Sequence, residues 1–550
     1  MTTPVRIPLA EWLSSQAHAE TVTTRHLTGA TRLVSQVEWP SLDREEFGEI
    51  DGKEPTQHQL DELAKALAGP VAVLSGRAGS GKSFLIARLI KALVALHGEK
   101  TILCVSPTNA ASIRNRDFLR SIGCSGVKTA TTYSALGVAS SEGEWTFKHN
   151  EHNPLPFRFI IGDEWGMVGL GHMRSFISAV ARGTGFLMTG DPNQLVSVEY
   201  GAVLRDLVAA GLPCGELTEI HRNAGSSVVA CSAICDGLPW QFDDQLDLKA
   251  VPPKNIVLIQ AGKNHAQAKL LQFLIEIRDK SPFDPVWDTQ VMVAVNKKSP
   301  LSRTVLNQKI QDLLNPAPPN AKTPFRVGDK VVQRDKEQVP LTEQRTDRKT
   351  GQVEWRQSEE KVTIYKHEFG KVLLAEEKRT VVQFFGPDRV VMMYRSSRRT
   401  KAESDDGDGD DDRGDDKGDG KEKSATGCNM DLGYAATVHC MQGAQQKICI
   451  YCIDEWPGAS GQYGVCDRAH FYVGMSRHTV AVFAVGQKHV ANAICAKRFI
   501  WRRKTFLREI LQDLAAKAGV ELRTPRDAGG PSIESLFKPK PTRIAEELLW

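Results

Sequence analysis

The sequence predicts an α/β fold with two parallel-sheet domains, the second of which is interrupted by a smaller β-module. Over residues 54–215, short apolar runs alternate with stretches whose apolar residues recur at helical spacing, which is typical of a parallel sheet covered by helices. The same alternation resumes over 216–312 and returns over 429–495. Residues 325–397 instead carry closely spaced apolar strands, as in a small, strongly curved β-barrel.

Size and composition are those of a multidomain globular protein. The 550 residues suffice for about two to four domains, each with its own core. No apolar run reaches the roughly 18 residues that a membrane helix needs, and the N-terminus lacks the apolar stretch of a signal peptide. We therefore expect a cytoplasmic protein without a membrane partner.

The net charge of +4 is unevenly distributed along the chain. Residues 403–422 hold nine Asp and two Glu against three basic residues, a local charge of −8, so the rest of the chain carries +12. A basic body favours a polyanionic partner. The surrounding segment 398–428 is rich in Asp and Gly and is predicted to be disordered. It suits a mobile spacer, with a DNA mimic or a docking site for a basic partner as alternatives.

The eleven cysteines do not indicate a disulfide framework, because they are scattered and odd in number. Cys449 and Cys452 form one C-x-x-C pair inside an apolar run that is typical of a buried strand. We interpret them as core thiols rather than as a metal or redox site.

A phosphate-binding loop is the most specific motif. The chain from Gly76 to Ser83 has the pattern Gly-x-x-x-x-Gly-Lys-Ser, between an apolar strand at 71–74 and a helical stretch that Gly98 ends. Backbone N–H groups of such a loop cradle phosphates at a helix N-terminus. The predicted nucleotide-binding residues of the loop are Gly76, Gly79, Ser80, Gly81, Lys82 and Ser83, with Lys82 at the β- and γ-phosphates and Ser83 on Mg²⁺.

Two later strands end in polar residues that suit hydrolysis of a nucleotide. Asp163 and Glu164 follow the apolar strand 157–161; Asp163 would hold Mg²⁺ and Glu164 would deprotonate the attacking water. Gln194 follows the strand 186–189 and would sense the γ-phosphate.

Three further side chains complete the predicted nucleotide site. Arg222 and Arg477 would close over the γ-phosphate from the second α/β domain and stabilise the charge of the transition state. Gln59, just upstream of the phosphate loop, would recognise the adenine edge, although Gln57 competes for that role and a helix cap explains both residues.

Small polar and aromatic residues on strand-end loops are the candidate nucleic-acid contacts. They are Pro107, Thr108, Asn109, Thr132, Tyr133, Thr437 and His439. The motif of Thr437 and His439 continues into Gln442 and Gly443, which we expect to face the nucleotide.

Residues 137–152 break the α/β rhythm and predict a small β-hairpin with a polar tip. Trp145 and Phe147 alternate along one strand, so both side chains lie on one face. They are either wedge residues that stack on the last base pair of a duplex or core residues that support the hairpin.

In their order along the chain, these motifs resemble those of superfamily 1 helicases, of the RecD-like group and most closely of the phage Dda type. The resemblance rests on the motifs above together with the runs 217–224, 291–299 and 472–477, and it covers about 55–490. It implies two RecA-like domains, 1A at 54–215 and 2A at 216–312 with 429–495. It also implies the hairpin as a 1B insertion and an SH3-like 2B module at 313–428.

The same resemblance implies the activity. Such proteins use ATP and Mg²⁺ to move 5′→3′ along single-stranded DNA and to unwind duplexes at single-strand/double-strand junctions, in replication, recombination or repair. Two departures affect the nucleic-acid contacts: Cys440 and Met441 replace a common Lys-Ser pair, and Tyr133 replaces a common His.

Other functions remain open at this point. One is a single-strand translocase that strips bound proteins, and another is a viral-type RNA helicase, which the run 476–479 resembles. A motor-dead scaffold would recruit partners through residues 533–538. The extension 1–53 and the basic tail 496–550 lie outside the resemblance, and the tail or the acidic segment would suit a single-strand-binding or replisome protein.

Overall fold

The computed structural model describes Trp39, Leu507, Asp513 and the ranges 54–141, 144–197, 199–219, 226–242, 256–318, 323–346, 353–385, 388–395, 428–461 and 464–497. Most of the N-terminal extension and the basic tail, and all of the acidic segment 403–422, fall outside these ranges. The chain divides into two compact units, one formed by Met1–Leu301 with Thr437–Trp550 and the other by Ser302–Ala436.

The first sheet of the larger unit has six parallel strands in the order β3-β2-β6-β7-β1-β8. The strands are β1 (Val71–Gly76), β2 (Ile102–Ser106), β3 (Lys128–Thr131), β6 (Phe159–Gly162), β7 (Gly185–Gly190) and β8 (Cys214–Leu217). The helices are α1 (Gln57–Ala66), α2 (Lys82–His97), α3 (Asn109–Ser121), α4 (Thr132–Leu136), α5 (Leu170–Ser178) and α6 (Val203–Ala210). The predicted limit of this domain, residue 215, falls inside β8, so the first sheet extends to Leu217.

The central strands of this sheet are mostly apolar because helices cover both faces. Every residue of β1, β2, β6 and β7 is buried. Alternate residues of these strands pack into two clusters, one around Trp165 and Phe176 and one around Leu89 and Leu93 of α2. Helix α2 ends at His97 because Gly98 takes a positive φ of 80°, as the sequence predicts.

The sheet order brings the sequence motifs to one edge. The phosphate loop follows β1, the acidic pair follows β6 and the Gln194 turn follows β7, and these three strands lie next to one another as β6-β7-β1. The loops at Pro107 and Thr132 follow β2 and β3, which are also neighbours, with Ser106 opposite Thr131. Because the carboxyl ends of parallel strands share one edge, nucleotide and nucleic-acid candidates occupy adjacent stretches of the same edge.

Between β3 and β6 lies the antiparallel pair β4 (Val138–Ser141) and β5 (Glu144–Phe147). Val138 is opposite Phe147 and Ser141 is opposite Glu144. Phe147 therefore lies at the base of this hairpin, and Glu144 lies next to its turn.

The chain continues through α7 (Ser226–Asp236), β9 (Ile256–Gln260), α8 (Ala266–Lys280) and β10 (Thr289–Val293) before entering the smaller unit. That unit begins with α9 (Arg303–Leu314) and holds a seven-stranded sheet in the order β13-β12-β16-β15-β14-β11-β17. Its strands are β11 (Lys330–Gln333), β12 (Glu337–Thr346), β13 (Val353–Ile364), β14 (Phe369–Ala375), β15 (Arg379–Phe384), β16 (Arg389–Tyr394) and β17 (Met430–Leu432). All the paired neighbours are antiparallel.

The smaller unit, 302–436, is wider than the predicted insertion 313–428. Two side-chain contacts tie its first helix to its last strands: Arg303 pairs with Asp431 at 2.9 Å, and the side chain of Asn307 makes two hydrogen bonds with the backbone of Ala435. These contacts explain why α9 and β17 pack with the inserted sheet.

The chain returns to the larger unit through β18 (Ala435–Thr437) and then forms β19 (Gln446–Cys452), α10 (Pro457–Ser460), α11 (Arg468–Met475), β20 (His478–Gly486) and α12 (Lys488–Ala496). Strands β10, β19, β20 and β9 are parallel neighbours in that order. The α/β class with two parallel sheets is thereby confirmed.

The predicted core thiols are confirmed as well. Cys449 and Cys452 are fully buried and unbridged in β19. Burial raises the pKa of the Cys452 thiol above its ordinary range, so it stays protonated. Within the described ranges, no group of three or more His, Cys, Asp or Glu side chains is placed to hold a metal ion. Among the same residues, no helix is both long and apolar enough to cross a membrane.

Candidate nucleotide-binding site

The phosphate loop connects β1 to α2 through a backbone that only glycine adopts easily. Gly79 and Gly81 have φ of 86° and 83°, in the left-handed region. A side chain at Gly76 would place its Cβ 2.6 Å from the Ser80 Oγ, so this position needs glycine for space. The loop therefore presents its N–H groups and the N-terminus of α2 to one cavity.

That cavity has a volume of about 660 Å³, within the range of about 300–1,000 Å³ for small-molecule sites. Ten of the predicted nucleotide residues line it: Gln59, Gly79, Ser80, Gly81, Lys82, Ser83, Asp163, Glu164, Gln194 and Arg477. Six lining residues were not predicted: Glu54, Thr56, Ala78, Phe84, Arg114 and Gln445.

Lys82 begins α2, and its ammonium group folds back onto the loop. Its Nζ donates to the carbonyl oxygens of Gly76 at 2.5 Å and Arg77 at 3.0 Å. These contacts hold the charge of Lys82 inside the cavity, where a phosphate would compete for it.

The acidic pair ends β6 in an unusual backbone conformation. Glu164 has φ of 55°, which is rare and costly for a residue other than glycine. Asp163 is buried, and its Oδ1 accepts from the Thr189 hydroxyl at 2.9 Å. Its Oδ2 accepts from the Asn115 amide at 3.1 Å. Strain at the predicted general base is typical of a functional site.

Arg114 of α3 faces both acids. One guanidinium nitrogen lies 3.3 Å from Asp163 Oδ2 and 3.6 Å from Glu164 Oε1, and the other donates to the Gly443 carbonyl at 3.0 Å. Burial lowers the pKa of Arg114, but the two carboxylates outweigh burial and raise it, so the guanidinium remains charged. The sequence motifs did not identify Arg114 because it lies inside a helix. The sequence could have indicated Arg114 only through its position on the helix that begins at Asn109, which turns this residue towards the strand ends.

The predicted γ-phosphate sensor lines the cavity and is hydrogen-bonded to a neighbouring carboxylate. Gln194 is buried, and its amide nitrogen donates to Asp191 Oδ2 at 3.4 Å. That hydrogen bond is long, so a phosphate oxygen would replace Asp191 as its acceptor at little cost.

Of the two predicted arginines, the structure describes one. Arg477 is buried beside the cavity, and its Nε donates to the Val473 carbonyl at 3.2 Å, which fixes the stem of the side chain at the end of α11. Arg222 lies outside the described residues, so its predicted role as a second finger remains a prediction.

Gln59, rather than Gln57, faces the nucleotide cavity. Its Oε1 accepts from the Thr56 N–H at 3.1 Å in a capping box, and its Nε2 donates to the Ser80 carbonyl at 3.2 Å. Gln57 bonds the exposed Asp61 instead. Gln59 thus braces the phosphate loop in addition to lining the cavity.

The expectation that Gln442 and Gly443 face the nucleotide is not met in this structure. Gln442 is buried and donates to the Leu195 carbonyl at 3.2 Å, and Gly443 accepts from Arg114. Gln445, three residues after Gln442, lines the cavity instead. Gly443 has φ of 77°, and this left-handed turn redirects the chain so that the later glutamine reaches the site.

At the neighbouring stretch of the edge, Pro107, Thr108 and Asn109 are partly buried. Thr108 caps α3, since its hydroxyl accepts from the Ala111 N–H at 3.3 Å. Pro107 and Asn109 remain candidates for contact with a phosphodiester backbone.

The loop after β3 corrects one prediction. Thr132 is fully buried as the first residue of α4, so its hydroxyl does not reach an external strand. Tyr133 is partly exposed, stacks on His172 with ring centroids 3.9 Å apart, and donates its hydroxyl to Glu199 at 3.0 Å. Burial and, to a smaller extent, the charge and hydrogen bond of Glu199 raise the pKa of Tyr133 to about 12. Burial lowers the pKa of His172 to about 4.

The two hairpin aromatics differ. Phe147 packs against the core of the first sheet, and its ring lies 6.4 Å from that of Tyr133 in a stacked orientation. Its position at the hairpin base favours the interpretation as a supporting residue over that as a wedge. Trp145 lies two pairs closer to the turn, and its side chain is outside the described part of the structure.

Thr437 and His439 are both partly buried. The Thr437 hydroxyl accepts from the Cys440 N–H at 3.3 Å, and the His439 ring lies 5.8 Å from that of His470. Burial lowers the pKa of His439, so this ring is neutral at physiological pH. A neutral imidazole would contact nucleic acid by hydrogen bonding or stacking rather than by charge.

The residues around the acidic pair suit a magnesium ion. The Asp163 carboxylate and the Ser83 hydroxyl both line the cavity, and Mg²⁺ prefers such oxygen ligands, which it supplements with water and phosphate oxygens. The guanidinium of Arg114 lies 3.3 Å from Asp163 Oδ2, so this carboxylate already attracts one cation in the structure.

Comparisons with known proteins agree with this geometry. A sequence model of the AAA domain family matches residues 54–238, which include the first sheet. The RecBCD enzyme subunit RecD of Mycolicibacterium smegmatis is 34% identical over 189 residues, covering 31% of this chain and 34% of RecD. The ATP-dependent RecD2 DNA helicase of Deinococcus radiodurans is 25% identical over 460 residues, covering 82% of this chain and 51% of RecD2.

These matches confirm the resemblance to RecD-like superfamily 1 proteins. The chain spans about a third of the length of that RecD subunit and about half of that of RecD2. The crystal structure of Pif1 helicase from Bacteroides in complex with ADP-AlF3 and ssDNA aligns at a TM-score of 0.38 and 16% identity, over 78% of this chain and 92% of that one. A TM-score this low supports no inference.

Proposed function

We propose that this protein is an ATP-dependent DNA helicase that moves 5′→3′ along single-stranded DNA and unwinds duplexes. The observation that carries the proposal is the convergence of Lys82, Asp163, Glu164, Gln194 and Arg477 on one cavity. These residues come from four distant parts of the sequence. A phosphate loop alone would explain nucleotide binding, whereas this set also supplies groups for hydrolysis.

ATP would bind with its phosphates on the loop N–H groups and on Lys82. Ser83 and Asp163 would hold Mg²⁺, which neutralises charge on the β- and γ-phosphates. In the structure Arg114 already pairs with Asp163, so Arg114 keeps the acidic pair compensated before nucleotide arrives. A buried carboxylate without such a partner would be costly.

Glu164 would accept a proton from the attacking water, while Arg477 would stabilise the charge on the transferred phosphoryl group. Both side chains line the cavity. Since Arg477 lies two residues after α11 and Glu164 follows β6 of the first sheet, hydrolysis requires both lobes of the larger unit, one built on each parallel sheet, to be in place.

Movement on DNA requires an affinity for the strand that differs between nucleotide states. The structure contains contacts suited to such coupling, because they join the motif around Gln442 to the first lobe. Arg114 donates to Gly443, and Gln442 donates to Leu195, next to the sensor Gln194. A change at the γ-phosphate would therefore reach the segment that carries Thr437 and His439.

The polarity of movement, single-stranded DNA and single-strand/double-strand junctions as substrates, and roles in replication, recombination or repair rest on the resemblance to RecD-like proteins. The RecD2 relative is named as an ATP-dependent DNA helicase. A single-strand-binding or replisome protein is the proposed partner of the tail or the acidic segment.

The test is unwinding of duplexes that bear either a 5′ or a 3′ single-stranded tail, alongside ATP hydrolysis measured with DNA and with RNA. We expect unwinding of the 5′-tailed duplex only and stronger stimulation by DNA. Unwinding from the 3′ tail would contradict the proposed polarity, and preferential stimulation by RNA would favour an RNA helicase.

A single-strand translocase that displaces bound proteins is the second candidate. The packing of Phe147 at the base of the hairpin favours it, because this ring supports the core of the first sheet and does not stand at the hairpin turn, where base pairs would be split. Displacement of streptavidin from a biotinylated single strand, with negligible duplex unwinding, would identify this activity.

A further inference from the structure

A buried tyrosine links the two lobes directly at the phosphate loop. Tyr472 of α11 is 1% exposed, and its hydroxyl lies 2.7 Å from the Ala78 backbone nitrogen and 2.8 Å from Asp191 Oδ2. Because an amide N–H only donates, the hydroxyl must accept from Ala78 and donate its single proton to Asp191. Burial and the Asp191 charge raise the pKa of Tyr472 far above its usual value, so that proton is retained.

The acceptor of this hydrogen bond is shared with the predicted sensor. Asp191 Oδ2 also accepts from the Gln194 amide, at the longer distance of 3.4 Å. The other oxygen, Oδ1, accepts from the Asn193 N–H at 2.9 Å, which helps to fix the orientation of the carboxylate. Tyr472 and Gln194 therefore share one oxygen atom, which accepts both hydrogen bonds at once, and each donor weakens the hydrogen bond of the other.

We propose that Tyr472 is a positioning residue that couples Gln194 to the phosphate loop through this shared oxygen of Asp191. When Gln194 turns to a γ-phosphate, Asp191 Oδ2 keeps Tyr472 as its remaining side-chain donor. The hydrogen bond from Tyr472 then strengthens and holds α11 against Ala78. Arg477 lies two residues beyond the end of that helix, so the same movement sets its position. This inference rests on the proposed function.

A second contact, an ion pair, joins the phosphate loop to the second lobe. Arg77, the neighbour of Ala78, pairs with Asp236 at the end of α7 at 2.7 Å, and α7 packs beside α11. Of these two contacts, the tyrosine link is the one that shares an acceptor with the γ-phosphate sensor. The two contacts therefore differ in whether they respond to nucleotide.

The experiment compares the affinity for a labelled oligothymidylate in two nucleotide states, by fluorescence anisotropy. For wild type and Tyr472→Phe, the Kd is measured with ADP and with a non-hydrolysable ATP analogue. In the wild type we expect the Kd values measured with ADP and with the ATP analogue to differ. In Tyr472→Phe this difference, expressed as the ratio of the two Kd values, should shrink by about tenfold, which is within the range of allosteric coupling free energies. The loss of one hydroxyl keeps the ring and hence the fold.

Tyr451→Phe is the matched control. Tyr451 is also fully buried in the larger unit, and its hydroxyl bonds His470 at 2.9 Å, away from the cavity. The control should lose comparable stability and keep the wild-type ratio. A double-mutant cycle with Gln194→Ala adds a second readout, because two residues that share one oxygen should have non-additive effects on the ratio.

An unchanged ratio in Tyr472→Phe, or additive effects in the cycle, would overturn the inference. An equal shift in the Tyr451 variant would show that Tyr472 acts only through general stability. Failure of the wild type to hydrolyse ATP would overturn the proposed function instead, and since the ratio comes from binding, it would still decide the role of Tyr472.

Discussion

Two stretches of one sheet edge differ in how deeply their candidate residues are buried and in what their side chains bond. At the ends of β6 and β7, Asp163 and Gln194 are buried, and the Asp163 carboxylate accepts from both Thr189 and Asn115. At the ends of β2 and β3, the nucleic-acid candidates other than the buried Thr132 are partly exposed, and Thr108 and Tyr133 serve as a helix cap and a stacking partner. Chemistry on a phosphate requires fixed groups, whereas a sliding strand requires replaceable contacts.

The sharpest test of the first stretch is Lys82→Ala. We expect ATP turnover to fall by about a hundredfold or more, because the loop loses the cation that offsets phosphate charge. Lys91→Ala is the control, since Lys91 is exposed on the same helix, away from the cavity. Steady-state hydrolysis measures both variants, and wild-type turnover in Lys82→Ala would refute the site.

The matching test of the second stretch is Tyr133→Ala. Loss of one stacking ring should raise the DNA concentration for half-maximal stimulation about tenfold and leave hydrolysis without DNA unchanged. Tyr133→Phe keeps the ring and removes only the hydroxyl that bonds Glu199, so its DNA requirement should stay near wild type. Equal effects of the two variants would show that the hydroxyl rather than the ring is important.

The hairpin separates the two candidate functions. We expect Trp145→Ala to reduce duplex unwinding several-fold with little change in DNA-stimulated hydrolysis, as a wedge residue would. Phe147→Ala should reduce both and lower the melting temperature, because Phe147 packs against the core. Tailed-duplex unwinding beside hydrolysis measures both; equal losses of the two activities in Trp145→Ala would remove the wedge.

The smallest expected effect concerns His172, beneath Tyr133. Its pKa is about 4 when folded and about 6.5 when unfolded, so the unfolded chain takes up the proton first as the pH falls. Stability is therefore lost from about pH 6.5 downwards, by about 2 kcal/mol between pH 7 and pH 5. His172→Phe should show a smaller loss over this interval in denaturant titrations. Parallel pH profiles would contradict the assignment.

Much of the nucleotide site was predictable because its residues follow strands that are recognisable one at a time. An apolar run, then a glycine loop or an acidic pair, specifies both the strand and what stands at its end, as for Lys82 and Asp163. The predictions failed where the direction of a side chain depends on its position in a helical turn or after a left-handed turn. Thr132 turned inward at the start of α4, and Gln445 replaced Gln442 after the left-handed turn at Gly443.

The sequence by itself determined the α/β class, the strand-end motifs and the resemblance to RecD-like proteins, because these depend on local patterns and their order. Only the tertiary structure placed Arg114 between the two acids and joined Tyr472 to Asp191 and Ala78. Those contacts link residues 49 to 394 positions apart in the chain, and their partners are set by sheet order and helix packing. A local pattern holds no information on which distant side chain fills a given space.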